Sequence, residues 1–194
     1  GGRIACVSQE GLPADTVVPS NRDGAAELAR HLIGLGHRRF ALLAGPNNLR
    51  TARDRLDGFH AALSSAGIEL DPRNVVHGAF TRDGGYESTR RLLSAGTDAT
   101  CLFAVNDVMA TGAVAALRDG GLHVPRDVAV AGFDDIPTLR DLTPGLSTVG
   151  LPLEWMGEEA ARLALDDHEN TEPRTVPVSG EVVVRESTAP PTGA

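Results

Sequence analysis

The residues best placed to do chemistry in this chain are those that come directly after its short apolar runs. Ser8 and Gln9 follow residues 4–7, and Asn47 and Asn48 follow the run at 40–44. Phe80 comes shortly after Val75 and Val76, Asn106 and Asp107 after 101–105, and Asp134 and Asp135 after 128–133. In an open parallel α/β sheet, ligands bind outside the carboxyl ends of the strands. Amides, carboxylates and an aromatic ring gathered there suit a neutral polyhydroxy or heterocyclic molecule. The polar groups hydrogen-bond hydroxyls while the aromatic face stacks on the apolar side of a ring.

Each candidate also has a plainer role. Asn106 precedes a helical stretch and fits an N-cap as well as a ligand contact, and Asp107 can serve as the cap in its place. Asp134 and Asp135 fit a solvated loop pair, although their place directly after a buried strand favours a ligand role for Asp134. Arg55 flanks the apolar face of a helix near its start. Taken alone it reads as a surface ion-pair partner; at a cleft rim its guanidinium would bind two oxygens at once.

Enzyme signatures are thin. There is no Gly-x-x-x-x-Gly-Lys loop, since the chain has no Lys, and no Gly-x-Gly-x-x-Gly after a strand. The histidines at 31, 37, 60, 77, 123 and 168 show no metal-ligand spacing, and no Gly-x-Ser-x-Gly accompanies them. Asp107, Asp134 and Asp135 resemble an acidic cation cluster only loosely, because their spacing demands no ion. The expectation is a protein without catalytic residues, metal or cofactor.

The elements that must position these groups are legible as alternating strands and helices. Ser20 and Asn21 are N-cap types ahead of a stripe at Ala25, Leu28, Ala29, Leu32 and Ile33, which Gly36 ends. A second helix carries Ala52, Leu56, Phe59 and Leu63 and closes at Gly67. A third is expected from about Gly84 to Ala95, and a fourth from Asp107 to Asp119 with Met109, Ala113 and Ala116 inward. Four strands buried on both faces and separated by helices indicate an α/β fold, a parallel sheet with helices on both sides. After Phe133 the pattern changes to a loop, a β run at 146–149, a helix with Leu153, Met156, Ala160 and Leu163, and β runs at 176–178 and 182–184. Residues 189–194 read as a frayed tail.

Composition narrows the class. The chain has 194 residues, 41% hydrophobic and 23% charged, which suits a soluble globular protein with a sizeable core. No apolar run reaches the length of a membrane span and no export leader opens the sequence. A formal charge of −8 should repel a phosphate backbone. Cys6 and Cys101 lie in apolar runs and read as small core residues.

Several segments together carry a resemblance: GHRRFALLAGP (36–46), ARDRLDGFHAAL (52–63), FAVNDVMATGAVAAL (103–117), VPRDVAVAGFDDI (124–136), LSTVGLPLEWMGEEAARL (146–163) and VVRESTAPP (183–191). In that order they resemble the effector-binding domain of transcription regulators of the lactose-repressor (LacI/GalR) family. The resemblance implies a periplasmic-binding-protein-like fold of two α/β subdomains joined by crossovers, with effector in the cleft between them. Residues 21–147 and 178–194 would form a near-complete C-terminal subdomain, and 1–20 and 148–177 part of the N-terminal one. Position by position, Arg55 matches the arginine that contacts effector, Phe80 the stacking aromatic, Asn106 a polar contact and Asp134 the hydroxyl- or amine-binding carboxylate. On the facing side, Ser8 stands where many relatives have Asp.

The resemblance also implies a cytoplasmic, non-enzymatic sensor of a sugar-like effector. A homodimer is expected through the C-terminal subdomain, by the helix beginning at Asp107 and the loop at 141–145. Operator DNA would be bound only through a helix-turn-helix head outside these residues. A periplasmic-type sugar receptor for uptake shares the fold and is the alternative; the retained GHRR and VPRDVAVAGFDD stretches favour the regulator.

Overall fold

A computed structural model describes residues 4–7, 11–166 and 172–192. The chain enters through β1 (Ala5–Val7) and β2 (Asp15–Pro19), paired in parallel with Ala5 opposite Asp15. It then forms α1 (Asn21–Gly34), whose stripe Ala25, Leu28, Ala29 and Leu32 is buried. Ser20 precedes α1 without a side-chain cap; its backbone N–H donates instead to the Val178 carbonyl at 2.7 Å. Two βα units come next: β3 (Phe40–Leu43) with α2 (Arg50–Ser65), then β4 (Val75–Val76) with α3 (Arg82–Ser94). The third helix starts two residues before Gly84 because the Thr81 hydroxyl accepts from the Gly84 amide and caps it. Beyond it lie β5 (Cys101–Ala104), α4 (Asp107–Asp119) and β6 (Ala129–Ala131). The chain closes with β7 (Thr148–Gly150), α5 (Leu153–Leu165), β8 (Thr175–Val178) and β9 (Glu181–Val183).

The larger sheet is parallel in the order β4-β3-β5-β6, with Phe40 opposite Cys101 and Cys101 opposite Ala129. β3, β5 and β6 are buried throughout, whereas β4, at the edge, is only half-buried. Parallel bridges Ala131–Ser147 and Asp134–Gly150 bring β7 alongside the end of β6, and β9 pairs antiparallel with β7. Thr148–Gly150 therefore sits beside the larger sheet, so the chain changes sheet after Gly150 rather than at the expected 147–148 junction. The second sheet, β1-β2-β8, is parallel and smaller; α5 lies against it with Met156 and Leu163 buried beside Val17 and Val178. Trp155, the chain's one tryptophan, is 42% exposed on that helix.

Two close approaches hold the larger unit together. On one pair of helices, a methyl group at Gly58 would stand 2.0 Å from the Arg22 carbonyl oxygen, so α2 meets the start of α1 backbone to backbone. On the other, Gly85 and Gly112 would each place a Cβ about 2 Å from a backbone carbonyl of the partner helix (Met109 and Arg82). Between sheet and α2, the Phe59 and Phe103 rings stack with centroids 4.4 Å apart.

The carboxyl-terminal residues expected to fray are docked as far as residue 192. Ser187 bonds both the N–H and C=O of Val130, and the His37 ring bridges the Thr100 hydroxyl and the Ala189 carbonyl, each at 3.0 Å. Burial lowers the His37 pKa, opposed by the Ala189 bond.

Gly58→Ala should therefore destabilise the protein by about 1–3 kcal/mol through overpacking. Gly34→Ala, with open space around its added methyl, should be neutral or stabilising by about 0.5 kcal/mol; urea unfolding of both variants checks the contrast. Because the folded state keeps His37 neutral, its contribution is present above the unfolded value of 6.5 and is lost as pH falls below it. The stability difference between wild type and His37→Gln should shrink or reverse from pH 7 to pH 5, measured by urea titration at each pH.

Candidate functional site

The site grows from one residue of α2. Arg55 lies on the same helical face as Ala52, Phe59 and Ala62, so its side chain is directed inward with them, and it is 3% exposed. This overturns the plainer reading of Arg55 as a surface ion-pair partner. Its Nε donates to Asn21 Oδ1 at 2.8 Å, Nη1 to the Val105 carbonyl at 2.8 Å, and Nη2 to Asp134 Oδ1 at 2.7 Å. The guanidinium carbon lies 3.9 Å from the centroid of the Phe133 ring, a cation–π contact in a desolvated place. Burial pulls the guanidinium below its ordinary pKa and pushes the Asp134 carboxyl above its own; in each case the partner's charge and bond oppose the shift.

Asp134 reaches Arg55 from an unusual backbone. Its φ is 118° and that of Asp135 is 55°, both in the left-handed region. Such residues cost about 1–3 kcal/mol each and persist only where their surroundings fix them. Here the Asp134 N–H donates to the Val149 carbonyl at 2.8 Å, the Ile136 N–H to Asp107 Oδ2 at 3.1 Å, and Asp135 pairs with Arg185 at 2.7 Å.

Asn106 is the N-cap of α4, its Oδ1 accepting from the Met109 N–H at 2.9 Å. Its amide NH₂ has no partner among the described residues and is the group left to donate. Phe80 is half-buried beyond β4. Its ring and Val105 both flank Gly45 at the end of β3, within about 3 Å of where a Cβ would stand there. Gly45, with φ of 66°, gives the aromatic its room.

Arg55, Phe80, Asn106 and Asp134 thus share the carboxyl edge of one sheet. Arg55 and Asp134 are bonded directly, and Arg55 reaches Asn106's neighbour Val105. Asn47 and Asn48 are exposed in the turn before α2, and Ser8 and Gln9 lie outside the described residues. Among the described residues, no group of three His, Cys, Asp or Glu is arranged to hold a metal ion.

Three residues join the site that sequence reasoning did not assign to it. Asn21 stood out only as a capping type, and Phe133 as a strand residue. Thr148, whose hydroxyl bonds Asp107 at 2.6 Å, was part of a β run. The partners of Asn21 and Thr148 lie 34 or more residues away, and nothing local announces them. Asn21 also lines a cavity of about 360 Å³ with Pro19, Ser20, Thr51, Asp54 and Pro177, where chain segments pass between the two sheets.

A parallel sheet with polar groups converging at its strand ends, joined by several crossovers to a second parallel sheet, is an α/β architecture of the periplasmic-binding-protein type. Residues 29–188 match the periplasmic binding protein-like domain. The HTH-type transcriptional regulator CelR of Thermobifida fusca is 38% identical over 189 residues, covering 96% of this chain and 55% of that protein. Among solved structures, a CelR–cellobiose complex superposes with a TM-score of 0.87 at 37% identity, over 94% of this chain and 57% of that one. A LacI family regulator from Enterococcus faecium with bound ribose gives 0.86 at 30% identity, over 94% and 68%. The chain belongs to the periplasmic binding protein-like family, in its LacI-type branch. It spans about half the length of the curated relatives it matches.

Removing the Asn21 acceptor leaves the Arg55 Nε–H buried without a partner. Asn21→Ala should cost about 1–3 kcal/mol, and Asn21→Asp, which keeps an acceptor, should cost less. Urea denaturation of the two variants checks the order.

Proposed function

We propose that the chain is the effector-sensing portion of a LacI-type DNA-binding regulator, and that its effector is an uncharged sugar or sugar derivative. The observation that carries this reading is the internal balance of the Arg55–Asp134 pair. The guanidinium is committed to three protein acceptors, one of them a carboxylate, so Arg55 itself offers no spare cation to a phosphate. What remains is hydrogen-bonding capacity: the outer face of Asp134, the free amide of Asn106 and the half-buried ring of Phe80. Neighbouring hydroxyls on a sugar satisfy the first two, and the apolar face of its ring suits the third. The relatives with cellobiose and with ribose support the same class of ligand.

On this reading the smaller unit supplies the facing wall of the cleft, where Ser8, outside the described residues, is the expected contact, and closure between the larger unit, residues 21–150 with the closing segment from 178, and the smaller one is the signal. The domain works without catalysis, as a cytoplasmic homodimer joined through α4 and the loop at 141–145. Operator DNA is held by a helix-turn-helix head outside these residues.

The test is calorimetry on the full-length regulator with cellobiose, ribose, glucose 6-phosphate and hypoxanthine. A neutral sugar should bind, and Asn106→Ala and Asp134→Ala should each weaken it by about 1–3 kcal/mol. Unchanged affinity in both variants removes the site assignment, and a preference for the phosphate ester removes the charge argument.

A further inference from the structure

Among the described residues Asp107 is the only carboxylate that is fully buried, with 0% exposure, and ligand recognition makes no use of it. Its Oδ1 accepts from the Thr148 hydroxyl at 2.6 Å and its Oδ2 from the Ile136 N–H at 3.1 Å, while its own N–H donates to the Phe133 carbonyl at 2.9 Å. Phe133 and Ile136 bracket the two left-handed residues. Thr148 opens β7, the strand whose Val149 carbonyl takes the Asp134 N–H. Gly132 leaves the carboxylate its space, since a Cβ there would stand 2.2 Å from Oδ1. One side chain therefore ties the start of α4, the 133–136 turn and β7 together.

We propose that Asp107 is the positioning residue of the effector site: it touches no ligand, and it clamps the 133–136 turn so that Asp134 keeps its backbone and its grip on Arg55. The proposal rests on the reading of Asp134 as effector-facing. An acid in the first turn of a helix also favours the helix dipole, but that role concerns α4 and needs neither Thr148 nor Ile136. The charged groups around Asp107 are Arg55 from α2, Asp134 in the turn, and Asp135 with its partner Arg185. Burial, chiefly, and the Asp134 charge push the Asp107 carboxyl up to about 6, against the bonds from Thr148, the Ile136 amide and the Asp135 amide. The clamp tolerates protonation, because the Thr148 hydroxyl can turn from donor to acceptor while Oδ2 keeps the Ile136 bond. An asparagine can make the same pair of bonds.

The experiment is NMR of the 194-residue protein with no sugar added, comparing wild type with Asp107→Asn, Asp107→Leu and Thr148→Val. It tracks amide exchange at Ile136, the Arg55 Nε–H resonance, and the Leu42 and Phe103 amides as controls in β3 and β5. Asp107→Asn should hold Ile136 exchange within about twofold, and Asp107→Leu should speed it by about tenfold or more and shift the Arg55 resonance, with the controls unchanged. Thr148→Val should give a smaller change in the same direction. The Ile136 amide shift should titrate near pH 6 in wild type and lose that step in Asp107→Asn. Unchanged Ile136 and Arg55 signals in Asp107→Leu, or an equal rise at the controls, overturns the proposal; should that variant not fold, Thr148→Val decides by the same criteria. Because no sugar is present, a regulator that binds none would refute the effector reading and leave the clamp to be judged by its own result.

Discussion

A guanidinium taken out of water must have its charge balanced and its donors filled, or it costs several kcal/mol. Arg55 meets that demand with groups from separate parts of the chain: Asn21 at the start of α1, a carbonyl at the end of β5, and Asp134 beyond β6, with the Phe133 ring beneath. Satisfying one cation therefore sets the relative positions of α1, α2 and two neighbouring strand ends. Ion pairs of this kind are weak evidence for stability. Their value here is geometric, because any ligand reaching the strand ends meets a carboxylate whose direction is already decided.

The same pair lies beside the segments that pass between the two sheets. Asn21 comes after Ser20, whose N–H is bonded to Val178 at the end of β8. Asp134 is bonded through its backbone to β7, which leads by Leu151 and Pro152 into α5. Through Asn21 and Asp134, the one guanidinium is therefore linked to two different crossovers. Movement of either crossover would therefore disturb the Asp134 carboxylate at the strand ends.

Much of this was legible in the sequence because it is local. The helix stripes, the glycines that end them and the β-rich runs marked the larger sheet, and the strand-end rule placed Phe80, Asn106 and Asp134 on one edge. What could not be read is long-range. Arg55 looked like a surface residue because its pattern shows only that it borders an apolar face; the acceptors that allow burial come from elsewhere. Asn106 fits a cap, and capping consumes its oxygen while leaving its NH₂. The run at 148–150 gave no sign of which sheet it would join, since that depends on bridges to Ala131 and Asp134. The tail composition suggested fraying, whereas a serine and a histidine far apart in sequence bond it down.

The indole of Trp155 has a practical consequence. It stands on the outer side of α5, in the smaller unit, while the pocket-forming groups of the larger unit include no tryptophan. Emission excited at the red edge of indole absorption therefore reports on the smaller unit alone. A spectral change on adding a metabolite that contacts only the larger unit would register motion between the two, with no dye attached and no residue replaced.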